Sequence, residues 1–166
     1  NRADLHILVA VGGPAQLSPL LTLACMLTRT EGGTATLLCV TPDGACPTWL
    51  QVPAHCSDLP VTLDVRAGND TGQVILQAAR EVDADLILLQ EAVRGSHAFA
   101  ALHQYHGAFS PGHKTARYSS GVMTGSRVAP LAHCSLSNRE PWLRSAKATN
   151  ITEFALHGTD KTLLVL

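Results

Sequence analysis

The chain has 166 residues, of which 46% are hydrophobic and 15% are charged, a composition typical of one globular domain with a full core. No apolar run approaches the roughly 20 residues that a membrane-spanning helix needs, which excludes such a helix from this sequence. The formal net charge of −1 and the scarcity of aromatic residues argue against a nucleic-acid-binding surface, so we expect no nucleic-acid partner.

The first ninety residues alternate between apolar strands and amphipathic helices. Ser18 and Pro19 predict the start of a first helix that ends at Gly32–Gly33, and Asn69, Asp70 or Thr71 is expected to cap a second helix. Uniformly apolar strands that alternate with helices favour a parallel sheet covered on both faces, and right-handed crossovers make it doubly wound. The predicted strands are Leu5–Val11, Thr34–Val40, Val61–Arg66 and Asp85–Leu89.

After the fourth strand the pattern changes, and residues 91–147 are predicted to be a basic, histidine-rich insertion within a single domain spanning residues 1–166. Residues 91–150 hold seven Lys or Arg against two acidic residues, and five of the eight histidines. The charge has two interpretations: a surface that docks on the acidic remainder of the chain or on an anionic partner such as a nucleotide or inner-leaflet lipid, or a mobile loop whose charge is incidental. Its expected parts are a short helix over Ser96–Tyr105, a loop over Gly107–Ser126, a strand or irregular core segment over Val128–Leu136, and a helical turn from Pro141 to Leu143.

The C-terminal residues predict a helix followed by a strand. Asn150 is a suitable N-cap, Glu153 lies at the position that completes a capping box, and Gly158 suits the end of the helix. Thr162–Leu166 is typical of a buried strand. The predicted fold class is therefore α/β, with a doubly wound, five-stranded parallel sheet and an irregular insertion after strand 4.

The chain has five cysteines, an odd number without paired spacing. Cys25 and Cys39 fall on apolar faces of predicted elements, where cysteine behaves as a small hydrophobic residue. This pattern favours a reducing, cytosolic environment over a disulfide framework.

Five strings stand out by their order and spacing: His6–Val11, Ala35–Val40, Val65–Asp70, Ala78–Leu89 and Thr152–Leu166. Together they resemble the universal stress protein family, which implies an adenine nucleotide alpha hydrolase-like fold. The resemblance extends over roughly residues 4–90 and 148–166, about two thirds of the chain.

Family members that bind ATP carry an acidic residue after the first strand and a glycine motif before the last helix, whose backbone amides hold phosphates. This chain has Gly12–Gly13 at the first position, and the register of the resemblance puts Thr149–Asn150, Arg139 and Leu136 at the glycines. The usual ATP motif is therefore absent, which leaves ATP, ADP, AMP or another small anion as ligands that the resemblance allows. The expected cofactor-binding residues are Val11, Gly12, Gly13, Val40, Thr149 and Asn150. For Gly12–Gly13, the alternative is a tight turn that needs glycine's conformational freedom.

Other motifs have structural interpretations that we favour. Gly68–Gly72 lacks the spacing and the lysine of a phosphate-binding loop and fits a helix cap better. His103 and His106 have helical spacing but too few accompanying ligands for zinc, so no metal site is expected. His133 and Cys134 are neighbours on a predicted strand and face opposite sides. Without a catalytic constellation, the chain is expected not to be an enzyme.

The glycine-proline that follows the first strand resembles the degenerate versions of the family in cytosolic tails of cation/proton antiporters. The sequence does not begin with Met, and Asn1 lies close before the first strand, so we expect a domain of a longer protein. These features predict a cytoplasmic regulatory or sensor domain, carried by an inner-membrane transporter of the same chain. It is expected to dimerise through the edge of Thr162–Leu166. The alternative is a free-standing universal stress protein that binds ATP or AMP.

Overall fold

The protein is described by a computed structural model, in which residues 4–94, 105–114, 119–139, 146–155 and 162–165 are placed. The chain divides into two compact units, Asn1–Leu89 and Gln90–Leu166. The sequence predicts one domain with an insertion over residues 91–147, and this organisation stays a prediction. Each unit is described by itself below.

The first unit is an α/β structure with a parallel sheet, as predicted. Its strands lie side by side in the order β3, β2, β1, β4, and every neighbouring pair is parallel. The strands β1 and β2 are the most deeply buried, because their apolar side chains are covered on both faces. The elements are β1 (Leu5–Val11), α1 (Pro14–Glu31), β2 (Gly33–Thr41), β3 (Val61–Ala67), α2 (Thr71–Glu81) and β4 (Leu86–Arg94).

Helix α1 begins earlier than the sequence predicts. Gly13 is its N-cap and Pro14 its first residue, so Pro19 lies inside the helix rather than at its start. Proline suits the first turn of a helix because it has no N–H, and an N–H at this position would have no acceptor within the helix. The prediction of Pro19 at the helix start rests on the same property. The second helix follows the prediction, because the carboxylate of Asp70 accepts a hydrogen bond of 3.1 Å from the backbone N–H of Gln73.

The connection between β2 and β3 contains a short 3-10 helix, Ala54–Cys56, that lies against α1. Cys56 forms a disulfide with Cys25 of α1, across Cα atoms 6.1 Å apart. Arg29 of α1 adds an ion pair of 2.8 Å to Asp58. The expectation that Cys25 is an unpaired core residue is therefore wrong, and the cysteine pattern no longer favours a reducing, cytosolic environment. Its partner lies 31 residues away in sequence, and folding brings the two together.

The second unit contains antiparallel strands in its described residues. Strands β5 (His106–Lys114) and β6 (Ser119–Ser126) form a hairpin, with a bulge between Pro111 and His113. The prediction of a loop over Gly107–Ser126 is wrong, since cross-strand pairing orders a segment whose Gly, Ser and Pro content is typical of loops. Strand β7 (Ala132–Arg139) falls partly within the strand expected over Val128–Leu136.

Residues 146–155 form strand β8 (Ala146–Ala155) and not the predicted helix. Asn150, Thr152 and Phe154 are buried while the residues between them are more exposed, which is the alternation of a strand with one covered face. Asn150 therefore caps no helix, and its apparent capping box with Glu153 is wrong. Burial of the inward face outweighed the local capping preference.

The last described segment is strand β9 (Thr162–Val165), which pairs antiparallel with β8. A strand over residues 162–166 was predicted, but its place as the fifth parallel strand of the α/β sheet is wrong. The three strands follow the order β7, β8, β9. The helices expected over residues 96–105 and 141–143 lie outside the described residues, apart from Tyr105, and Gly158 lies outside them too. No helix in the described ranges has the length and apolar character to span a membrane.

Candidate functional site

The order of the parallel strands defines a crevice at the carboxyl end of β1. From β1 the chain passes to β2 and β3 on one side, and it then returns to place β4 on the other side of β1. Open α/β sheets bind ligands outside the carboxyl ends of their strands, at the position where the strand order reverses. Gly12 and Gly13 follow the last residue of β1 and occupy that position.

The turn from β1 into α1 is held by two local hydrogen bonds. The backbone N–H of Gly12 donates to Oε1 of Gln16 over 2.7 Å, and the N–H of Gln16 donates to the carbonyl of Gly13 over 3.2 Å. The N-cap is a glycine, so no side chain caps the helix, and its first turn holds no acidic residue. Pro14 has no N–H and the N–H of Gln16 is bonded, so among the first three helical residues only Ala15 has an amide outside these bonds, at the positive end of the helix dipole.

The conformation of this turn does not require two glycines. Gly13 has φ −167° and ψ 167°, an extended backbone that any residue adopts. A Cβ at Gly13 would meet no heavy atom within 4 Å, and one at Gly12 would meet only Oε1 of Gln16 at 3.6 Å. The tight-turn explanation therefore fails for Gly13. The two glycines leave open space beside the helix start, which suits close approach of a ligand to the backbone.

Residues at the ends of β2 and β3 contribute packing contacts. Val40 is partly exposed near the end of β2, while the preceding Cys39 is buried. Burial raises the pKa of the Cys39 thiol, with a further contribution from Cys46, so this thiol stays protonated and unreactive. At the end of β3, a Cβ at Gly68 would come within 2.5 Å of a methyl group of Val74. Glycine is needed there for helix–strand contact, which agrees with a structural role.

Thr149 and Asn150, the other two predicted ligand residues, lie on β8 of the second unit. Thr149 is exposed and Asn150 is 1% exposed, because successive residues of a strand face opposite sides. The amide nitrogen of Asn150 donates to the carbonyl of Ala108 over 2.8 Å and to the hydroxyl of Thr124 over 3.3 Å, and its oxygen accepts from Thr152 over 3.1 Å. No helix start exists at this position to supply amides for an anion. The predicted six-residue ligand set itself stays a prediction.

At the opposite end of β1, His6 forms an interaction that the sequence did not indicate. Its two ring nitrogens lie 3.0 Å from the hydroxyl oxygens of Thr34 and Thr36 on β2. Burial lowers the pKa of His6, against the opposing effect of Asp85 and Asp83. In the sequence, the alternation of Thr34 and Thr36 on the neighbouring strand was the feature that could have indicated this interaction. The lowered pKa favours the neutral ring, which the two threonine hydroxyls hold between β1 and β2.

The described residues define an α/β protein with a parallel sheet and a candidate ligand crevice formed by backbone groups. Within the placed ranges, no three His, Cys, Asp or Glu side chains gather as metal ligands. A stretch of 77 residues is 38% identical to the UPF0294 protein YE0917 of Yersinia enterocolitica, across 45% of this chain and 30% of the relative. The chain thus spans less than a third of the length of that relative, whose name states no activity. No family model matches the chain. No solved structure matches it either.

Proposed function

We propose that this chain is a non-enzymatic regulatory domain, similar to universal stress proteins, that binds a small anionic ligand at the carboxyl end of β1. A nucleotide such as ATP, ADP or AMP is the leading ligand class. The observation that carries the proposal is the position of Gly12 and Gly13 at the point where the strand order reverses. Neither the backbone conformation nor the packing at Gly13 accounts for a glycine there.

The chemistry available at this crevice is hydrogen bonding without proton transfer. The amide of Ala15 and the positive end of the α1 dipole suit a phosphate or carboxylate oxygen, and the partly exposed Val40 offers an apolar surface for a ring. Gln16 holds the N–H of Gly12 and is able to release it to an incoming anion by a change of side-chain rotamer. Binding, and not catalysis, is therefore the proposed activity.

The proposal includes the doubly wound arrangement of the first unit. Right-handed crossovers place α1 on one face of the sheet and α2 on the other, since the connections of β1 to β2 and of β3 to β4 run in opposite directions across it. The resemblance then applies to residues 4–90. The C-terminal part of the resemblance has a different secondary structure, so it supplies no ligand groups to this proposal.

The proposed context is the cytosolic part of a membrane cation/proton antiporter or related transporter, acting as a homodimer in the cytoplasm. The departures of the sequence from the ATP motif after β1 support this version of the proposal. The second candidate is a free-standing universal stress protein that binds ATP or AMP. The parent gene separates the two, because only a transporter has a run of membrane helices on the same chain.

Isothermal titration calorimetry of the whole chain with AMP, ADP and ATP tests the ligand. Gly13→Val is the informative variant, because a side chain there fills open space without a clash and φ is compatible. We expect wild type to bind at least one nucleotide and Gly13→Val to bind it about tenfold more weakly, a loss of about 1.4 kcal/mol.

Ser18→Val is the matched control, since Ser18 is exposed on α1 one turn beyond the helix start. It should bind as wild type does. If all three nucleotides bind no more tightly than about millimolar, nucleotide sensing is wrong. Equal binding by wild type and Gly13→Val places the ligand elsewhere.

A further inference from the structure

The second unit has an unprotected edge strand, β7. Among the described residues of this unit, β7 pairs with β8 on one side and with no strand on the other. Every side chain from 131 to 137 is exposed, on both faces of the strand. Leu131 is 59% exposed and Leu136 51%, and Val128 just before the strand is 59% exposed. An edge of this kind pairs readily with another strand.

The usual protections against edge pairing are absent from β7 up to its last residue, Arg139. Residues 128–138 include no Asp, Glu, Lys or Arg, the strand contains no proline, and its register with β8 has no bulge. Strand β3, at the edge of the parallel sheet in the first unit, is different. It carries Asp64 and Arg66, which form an ion pair of 2.8 Å. One edge strand of this protein is therefore protected by charge and another is not.

We propose that β7 is the interface of a homodimer, in which it pairs antiparallel with β7 of a second copy. Two-fold symmetry requires one residue to lie opposite itself in such a pair. Centring the pair on Cys134 puts Ala132 opposite Leu136 of the second copy, and all three residues share one face of the strand. This register brings the apolar side chains of that face together.

A second copy fits this edge better than a charged partner does. The one charged residue of β7 is Arg139 at its end, and in a pair centred on Cys134 it lies opposite Ala129 of the second copy and not opposite itself. The strand therefore meets itself without like-charge repulsion, and its centre offers no charge that would attract an acidic or basic segment. The strand of eight residues is also twice as long as β9, the other edge of this sheet, so it gives more main-chain hydrogen bonds. This places the dimer contact at β7 and not at the C-terminal strand. The inference shares with the proposed function only the expectation of a homodimer.

Light scattering coupled to size-exclusion chromatography tests the interface on the whole chain. Wild type should have twice the mass of one chain. Cys134→Lys puts two like charges opposite each other and should weaken the dimer about tenfold or more. Cys46→Lys is the matched control, because Cys46 is also an exposed free cysteine but lies in the first unit. It should leave the mass unchanged.

Thiol cross-linking with a short bifunctional reagent tests the register. Wild type and Cys46→Ser should give a covalent dimer, and Cys134→Ser should keep the dimeric mass but lose the cross-link. A monomeric wild type, a Cys134→Lys dimer as strong as wild type, or cross-linking that persists in Cys134→Ser overturns the proposal. None of these results depends on nucleotide binding, so this inference and the proposed ligand site fail separately.

Discussion

The side-chain amide of Asn150 donates a hydrogen bond of 2.8 Å to the backbone carbonyl of Ala108, which joins β8 to β5 inside the second unit. The same amide donates to Thr124 on β6, and its oxygen accepts from Thr152. One buried side chain therefore connects the hairpin to the neighbouring sheet and has every one of these polar atoms satisfied. Asn150 also precedes the sequence Ile-Thr of a glycosylation acceptor, but its buried, bonded nitrogen is closed to such modification.

Replacing Asn150 by Leu should destabilise the protein. The substitution keeps a similar volume but leaves the carbonyl of Ala108 buried without this donor, at a cost of about 2–3 kcal/mol. Urea unfolding followed by circular dichroism measures the loss. Ser135→Ala is the control, since Ser135 lies directly opposite Asn150 in the ladder but is exposed, and it should change stability by less than about 0.5 kcal/mol. Equal stability of the Leu variant and wild type would contradict the role given to Asn150.

Two glycines of the first unit should respond differently to alanine. Gly33 has φ +132°, and a Cβ there would overlap the backbone of Leu5, so Gly33→Ala should cost about 2 kcal/mol or more. Gly13→Ala meets open space at an extended φ, and the gain from reduced chain entropy opposes the poorer N-capping of alanine, so stability should change by less than about 1 kcal/mol. Thermal unfolding of the two variants beside wild type checks the difference. A Gly13→Ala variant as unstable as Gly33→Ala would show that the turn after β1 is constrained.

The disulfide between Cys25 and Cys56 should contribute to stability. It closes a loop with a sequence separation of 31 residues, for which the chain-entropy account gives about 3–4 kcal/mol. The melting temperature of wild type should fall when dithiothreitol is added, whereas Cys25→Ser/Cys56→Ser should melt at the same lower temperature with or without it. The oxidised protein, denatured without reductant, should titrate as three thiols: Cys39, Cys46 and Cys134. Five reactive thiols in that titration would contradict the bond.

Stability should decrease in mildly acidic solution because of His6. Its pKa is lowered in the folded protein, so below pH 6.5 the unfolded chain takes up a proton more readily than the folded one. The stabilisation is complete above pH 6.5, declines as pH falls through that value, and levels off below the folded pKa. His6→Gln should flatten this part of the pH profile, and nuclear magnetic resonance should show the ring of His6 titrating below 6.5. A titration midpoint of His6 above pH 6.5 would mean that its protonation stabilises the folded protein, which would contradict this prediction.

Several parts of the fold were predictable because their signals are local. Strand β1 has the predicted bounds, Leu5–Val11, since a continuous apolar run ended by glycines has few other structures available. The cap of α2 was among three predicted candidates, and Asp70 is the one that accepts the hydrogen bond. The start of α1 was missed by five residues, because Ser18–Pro19 is as good a local start signal as Gly13–Pro14.

The errors lie where distant residues decide the structure. Asn150 and Glu153 have the spacing of a capping box, yet Asn150 finds its partners on β5 and β6, more than twenty residues away. Gly107–Ser126 has the composition of a loop, yet its two halves pair with each other as a hairpin. In both segments the free energy of burying a paired strand face exceeds the small intrinsic preference of the backbone.

The sequence by itself determined the alternation of apolar strands and helices over the first ninety residues, because hydrophobic periodicity and caps act over a few neighbouring positions. The tertiary structure alone decided the disulfide between Cys25 and Cys56, the antiparallel pairing of the strands in the second unit, and the open space beside Gly13. Each of these depends on contacts between segments far apart in the chain, and local composition carries no record of which segments meet.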